Sequence, residues 1–296
     1  MDGGSSYAVK ICKYENAALY LDVHDNRFIG DYGALWICRN SYAARDPVTG
    51  EAAVKIHDNV FDSRTALCMS NSQGYDVYSN VFNLGNDAVR GSEAAYVGSG
   101  CSGGSLVRGD HHFFLNDIQG TDGDWGALAF AYYANPTGAV NLPNTVDLNS
   151  FRNNSRAIWY EMWEPSMTSL GDQVHYNSFE GNAMGILING PYADLVLLDA
   201  VLNWWGDASG PSGEGTGAGD SVSTHVIFSP WLGIDPDGDP TTPGVQLVSP
   251  VLFIVDDIGP APADAIARRQ KLRSRASKGS DTIEVRSGTY ADDATI

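Results

Sequence analysis

The sequence predicts an all-β chain wound as a right-handed parallel β-helix, on three observations. A phrase of alternating apolar residues ending in Asn recurs along it, turns rich in Gly and polar residues separate the copies, and helix-forming patterns are sparse before residue 262. The phrase reads VHDNRF (Val23 to Phe28), IHDNVF (Ile56 to Phe61), VYSNVF (Val77 to Phe82), FFLNDI (Phe113 to Ile118), VDLNSF (Val146 to Phe151) and VHYNSF (Val174 to Phe179), with a degenerate copy AVLNWW (Ala200 to Trp205). The landmark residues are Asn26, Asn59, Asn80, Asn116, Asn149, Asn177 and Asn203, at steps of 33, 21, 36, 33, 28 and 26 residues. The shortest step sets the minimal coil, and longer steps add loops. A second short strand follows most copies, as in GALWICRN, TALCMSN, GALAFAYY, RAIWYEM and GILING.

One such unit cannot bury its own inward face. Stacking copies about 4.8 Å apart places Val over Val and Phe over Phe and pairs the backbone between coils. Asn suits the corner because it tolerates a left-handed bend and its amide can bond an Asn one coil away. A Greek-key sandwich with Asn-rich turns is the competing arrangement, but the NG and DG pairs of tight hairpins are scarce.

Composition narrows the partners. The 296 residues carry a net charge of -18, and duplex binding needs Lys and Arg against phosphates, so nucleic acid is excluded as a partner. A cationic partner or a divalent metal is easier to accommodate. Seven of the 18 basic residues, from Arg268 to Arg286, lie after residue 260, so a basic tail follows an acidic body. Cys12, Cys38, Cys68 and Cys101 show no CxxC spacing, which argues against zinc and for stacked thiols. No apolar run reaches the roughly 18 residues of a membrane span, and the N-terminus lacks a signal-peptide core, so export information is expected to lie outside this chain.

These repeats resemble those of the parallel β-helix repeat proteins, the group that includes pectate-lyase-like enzymes and large repetitive secreted proteins of bacteria. NWWGDASGPSG (Asn203 to Gly213) resembles the phrase that closes the last coil of such domains, and FSPWL (Phe228 to Leu232) the strand after it. The segment from Ala263 to Ile296 resembles the opening of a β-helix domain, an amphipathic helix followed by a first coil, with Ser280 interrupting the usual GDTI. The expected organisation is therefore coils over 1–232, a Gly/Pro-rich linker over 233–262, and a helix cap with an opening coil over 263–296. Either the chain is one period of a longer tandem array, or the tail caps the exposed coil of the next molecule. In the second case Ile266, Leu272, Ile283, Val285, Tyr290 and Ile296 form the interface. The resemblance implies an extracellular or cell-surface location.

The leading functional expectation is a self-associating structural solenoid, a head-to-tail fibre or surface-layer subunit with no required cofactor. A polysaccharide lyase or hydrolase working along a groove is the alternative, and a carbohydrate-binding or adhesive module the third. For an enzyme the resemblance implies Asp clusters for calcium, an Arg or Lys base, or paired carboxylates. Candidates are Asp110, His111 and His112; Asp122 and Asp124 in TDGDWG; and Glu161 and Glu164 around Trp163. Trp125, Tyr132, Tyr133, Trp159 and Tyr160 offer aromatic faces to sugars. His24 and His57 share one place in their repeats, which points to stacking rather than catalysis. Asp235, Asp237 and Asp239 in DPDGDP alternate as hard ligands for calcium do, or form an acidic linker turn.

Overall fold

A computed structural model describes residues 7–12, 20–38, 45–46, 48–70, 72–84, 93–98, 107–121, 125–133, 140–167, 169–248, 252–255 and 282–285. The recurring phrase forms two strands per copy, one on each side of its Asn. The strands before the Asn make an eight-stranded sheet: Leu21–His24, Val54–His57, Tyr75–Tyr78, His112–Phe114, Thr145–Asp147, Gln173–His175, Leu198–Asp199 and Val226–Ile227. Their order in the sheet is their order in the chain, and the pairing is parallel throughout. The strands after the Asn, with the second strands of the repeats, make a 13-stranded sheet that is also parallel. The chain is all-β with stacked parallel sheets, compatible with a β-solenoid.

Register explains why the pattern works. Val23, Ile56, Val77, Phe113, Val146 and Val174 stand in one column, and from Ile56 onward each is at most 1% exposed. Two residues past the Asn, Phe28, Phe61 and Phe82 stack with ring centroids 4.9 and 4.8 Å apart and nearly parallel planes. Ile118 interrupts the column, and Phe151, Phe179 and Trp205 resume it at 5.1 and 4.7 Å. The ring spacing matches the distance between paired strands, so each buried ring covers the next.

The left-handed bend falls one residue earlier than expected. Asp25, Asp58, Ser79, Leu115, Leu148, Tyr176 and Leu202 hold φ between 53° and 61°, and each precedes a landmark Asn. The Asn is freed from the bend and its amide turns inward.

The C-terminal region departs from the sequence expectation. Helical structure among the described residues is a single 3₁₀ turn, Ala193–Leu195, and a C-terminal helix has no support; residues 256–281, where most of it was expected, lie outside the described ones. The stretch expected as linker lies against the stack over residues 233–248. Val245 N–H donates to Leu148 O (2.8 Å) and Gly244 N–H to Asp117 Oδ1 (3.2 Å). Gly244 has φ +79°, and a Cβ there would stand 2.3 Å from Leu115 Cα, so only glycine fits this crossing. Leu252–Val255 then pairs antiparallel with Trp231–Leu232 and parallel with Thr282–Val285. Leu232 and Phe253 pack with Tyr176, Val201, Leu202 and Ile227 in a second apolar cluster on the outside of the corner.

Candidate functional site

The seven landmark asparagines form one continuous ladder. In each step the Oδ1 of the later Asn accepts both the backbone N–H and the Nδ2 of the earlier one; for Asn116 on Asn149 these distances are 3.1 and 2.9 Å. The same pair of bonds joins Asn26 to Asn59, Asn59 to Asn80, Asn80 to Asn116, Asn149 to Asn177 and Asn177 to Asn203. Each internal Nδ2 also reaches the carbonyl two residues back and one on the preceding rung, as Asn149 does at Asp147 O (3.0 Å) and Phe113 O (2.9 Å). Two protons serve three acceptors, so the amide is fully engaged in a site closed to solvent.

Two further ladders flank the first, and the sequence reading missed both. Five residues before the landmark, His111 N–H donates to Asn144 Oδ1 (3.1 Å) and Asn144 N–H to Asp172 Oδ1 (2.8 Å). Five residues after it, Thr121 N–H donates to Asn154 Oδ1 (3.2 Å), Asn154 N–H to Asn182 Oδ1 (2.9 Å) and Asn182 N–H to Asp220 Oδ2 (3.0 Å). The available signal was the five-residue spacing of Asn144, Asn149 and Asn154, and of Asn177 and Asn182. Each flanking ladder ends on an Asp, whose oxygens accept from the last amide without needing a further acceptor of their own. Burial pushes both carboxyls up to about 6 against the donors that favour the charge.

The stack has unlike ends. At the C-terminal end Leu232 N–H donates to Asn203 O (3.0 Å), Leu202 N–H donates to Pro230 O, and Trp205 is fully buried. At the N-terminal end Leu21, Val23 and Phe28 are half-exposed and Asn26 is exposed, although their counterparts Val54, Ile56, Phe61 and Asn59 are at most 1% exposed. Ile29, beside them, is 73% exposed. His57 Nε2 lies 2.9 Å from Asp22 Oδ1 on the rung before it, and its ring stacks on His24 at 5.2 Å. His24 bonds Asp25 through Nδ1 (2.8 Å), and among the described residues no acid stands one rung before it to meet Nε2.

An aromatic group lies on one flank of the larger sheet. Trp159 meets Trp125 edge to face at 5.4 Å and donates from Nε1 to Asn189 Oδ1 (2.8 Å). Glu161, two residues on, accepts from Tyr133 OH (2.6 Å) and Trp163 Nε1 (2.9 Å). Trp125 and Trp163 are 36% and 47% exposed. Glu164 does not join Glu161 in this group: it is buried, and its Oε1 accepts from Ser166 N–H and Oγ. Tyr132 and Tyr160 point inward instead, and both hydroxyls donate to Asp172 Oδ2, at 3.2 and 3.1 Å. A small pocket of about 10 Å³ beside Tyr132, Asn144 and Arg108 has room for one water at most.

The remaining candidates are held in structural bonds. Asp110 and Asp76 share Arg45, at 3.5 and 2.7 Å. His111 is buried, with Nδ1 accepting from Tyr75 N–H (3.2 Å) and Nε2 beside Ser72 Oγ (3.1 Å), and burial pushes its pKa down to about 3. His112 Nε2 meets Asp147 Oδ1 at 2.7 Å. Asp122 and Asp124 lie outside the described residues. Asp235 Oδ1 accepts from Asp237 N–H, Asp237 Oδ1 from Asp239 N–H and Gln246 N–H, and Asp239 from Thr241 and Thr242. The three carboxylates thus brace successive turns, and the Thr hydroxyls hold Asp239 below the usual range. Among the described residues no three His, Cys, Asp or Glu side chains gather as a metal site.

Of the six expected interface residues, Ile283 and Val285 lie in the strand paired with the chain's own Leu252–Val255. That strand has not left its own body, as a tail devoted wholly to a neighbour would. Ile266, Leu272, Tyr290 and Ile296 lie outside the described residues. Cys12 pairs in register with Cys38, whereas the half-buried Cys68 stands opposite Trp36. No helix among the described residues is long and apolar enough to cross a membrane. The chain matches no protein-family model, no curated protein and no solved structure.

Proposed function

We propose that the chain is a right-handed parallel β-helix serving as a self-associating structural subunit, outside the cell or on its surface, that joins its copies head to tail. The observation that carries this reading is the contrast between the two ends of the stack. The last rung is covered by the chain's own residues 228–232 and 252–255, while the first rung, covered by Tyr7–Cys12 over its second strand at residues 33–38, presents at Leu21, Val23 and Phe28 half-exposed side chains that every later rung buries. A free strand edge with apolar side chains recruits another strand, and an end that fits a different surface on the next copy gives a contact that repeats without closing. The acidic body and basic tail favour that orientation over head to head.

Sedimentation of the purified chain across a wide concentration range, with electron microscopy of the same samples, tests it. Rods that lengthen with concentration are expected; a monomer at every concentration ends the reading. Removal of residues 263–296 should abolish the rods.

The aromatic flank favours a second reading, polysaccharide binding. Exposed Trp125 and Trp163 around a Glu161 held by two donors form an amphipathic surface of the kind sugar rings stack on. Titration with soluble polysaccharides, followed by Trp fluorescence, should give a saturable change that Trp163→Ala removes. Catalysis has no comparable support, because Glu161 and Glu164 do not face a common space and Asp110 is tied to Arg45.

A further inference from the structure

The first rung specifies what would cover it. Its inward positions are Leu21, Val23, Asn26 and Phe28, the same four places that hold Val54, Ile56, Asn59 and Phe61 one rung later. Its outward Asp22 reaches forward to His57 at 2.9 Å. A strand seated before Leu21–His24 would therefore need apolar residues over Leu21 and Val23. It would also need a backbone N–H over Asn26 Oδ1, an aromatic ring over Phe28, and an acid placed to reach His24 Nε2.

One segment of the chain carries that set at that spacing. Ile283, Val285, Gly288 and Tyr290 are separated as Leu21, Val23, Asn26 and Phe28 are, with Glu284 between the first two as Asp22 is. Thr282–Val285 has one edge occupied by Leu252–Val255, and its other edge is open among the described residues. The segment need not leave its own molecule to offer that edge.

The geometry points to residues 282–290 of one copy as the rung that docks on Leu21–Ile29 of the next, with Ile283 over Leu21, Val285 over Val23 and Tyr290 over Phe28. Glu284 then meets His24 as Asp22 meets His57. Arg286 comes over a cluster of acids, Asp22, Asp25 and Asp58, that act together on His24. The contact is β-augmentation: main-chain bonds hold the strand, and the alternate side chains choose the register. A glycine at position 288 costs the ladder one amide, but its N–H still serves Asn26 Oδ1.

This inference rests on head-to-tail association and adds the partner segment and its register, so the test separates the two. Paired residues in adjacent parallel strands stand about 5 Å apart, within disulfide range. Asp22→Cys and Glu284→Cys are made in separate full-length chains, mixed and oxidised, with the unsubstituted chain treated alike for background. A covalent dimer found only in the mixture, mapped to the peptides carrying positions 22 and 284, is the expected result. Glu284→Lys should weaken association at least 10-fold in sedimentation, and adding His24→Glu should restore most of it. Rods without a bond between positions 22 and 284 would overturn the register and leave head-to-tail association standing. A chain that stays monomeric overturns both, and the same bond formed within one highly dilute double variant would show a contact within one molecule and sink the proposal.

Discussion

Asp172→Asn should change how the stability of this protein responds to acid. Asp172 is 1% exposed, and its carboxylate accepts from Asn144 N–H, Asn144 Nδ2, Tyr132 OH and Tyr160 OH at 2.8 to 3.2 Å. Burial outweighs those four donors and pushes the group from 3.8 to about 6. A folded-state value above the unfolded one means a contribution to stability that is complete below about pH 4 and lost as pH rises through about 6. The difference corresponds to roughly 3 kcal/mol. His111 works the other way, because burial lowers it from 6.5 to about 3. Its contribution is complete above about pH 6.5 and is lost as pH falls toward 3, at a cost of roughly 5 kcal/mol.

Between pH 6 and 4 the two slopes oppose each other at roughly 1.4 kcal/mol per pH unit each, and they largely cancel. Asp172→Asn leaves His111 unopposed. The stability of the variant relative to the parent should therefore fall by roughly 3 kcal/mol between pH 7 and pH 4. Asp220, raised in the same direction, is present in both proteins and drops out of the difference. Urea unfolding followed by Trp fluorescence at pH 7, 5 and 4 measures it. A gap that stays constant within about 0.5 kcal/mol, the spread of ordinary surface substitutions, would refute a buried titrating carboxyl at this position.

Three shorter predictions follow from the same packing. Asn149→Ala removes the acceptor of a buried N–H and of a buried amide, and should cost roughly 3 to 5 kcal/mol in urea unfolding, whereas Asn26→Ala at the exposed end should cost less than about 1 kcal/mol. Gly244→Ala brings a methyl group to 2.3 Å from Leu115 Cα, so residues 233–248 should become open to limited proteolysis while the β-sheet circular dichroism of the stack is retained. Chelation with EDTA should leave the thermal midpoint unchanged, since Asp235, Asp237 and Asp239 brace turns; a fall of several degrees would assign those carboxylates to a bound cation.

The parallel strands and the landmark asparagines were legible in the sequence because each position does one job in every rung. A side chain facing the core two residues past Asn is Phe in Phe28, Phe61, Phe82, Phe151 and Phe179, since flat rings stack face to face at strand spacing, as Trp205 does on Phe179 in the last copy. The flanking ladders were not legible, because their members change chemistry from rung to rung: Tyr75, His111, Asn144 and Asp172 in one, Thr121, Asn154, Asn182 and Asp220 in the other. A column that needs only some hydrogen-bond partner leaves no letter to recognise. The candidate site was half legible. Trp125, Tyr133, Trp159 and Glu161 gather on one flank, but nothing in the spacing of Tyr132 and Tyr160 says that they face the core and serve Asp172. The fold-back of 233–248 was hidden by its composition, since Gly, Pro and Asp suit a braced crossing as well as a free linker.

The residues just before the landmark asparagines carry the last clue to what the C-terminal segment does. All seven are left-handed, a conformation that costs a side chain such as Leu roughly 1 kcal/mol and Asn or Asp less. In the first three rungs they are Asp25, Asp58 and Ser79, polar residues that suit the bend, the two Asp exposed and Ser79 half-buried. In the last four they are Leu115, Leu148, Tyr176 and Leu202, which do not suit it. The switch occurs where residues 227–248 and 252–253 come to lie over the corner: Tyr176, Leu202, Ile227, Leu232 and Phe253 pack together, Leu148 rests against them, and Gly244 crosses Leu115. Apolar contact therefore offsets backbone strain at Leu148, Tyr176 and Leu202. Leu148→Asn relieves the strain and removes the contact, and burial of most of a Leu side chain is worth roughly 1.5 to 3 kcal/mol, so a net loss of roughly 1 kcal/mol or more is expected. Ser79→Asn, at a corner outside that apolar cluster, should be neutral or stabilising. Urea midpoints of the two variants decide the matter, and a stabilised Leu148→Asn protein would mean that the C-terminal segment does not rest on this column.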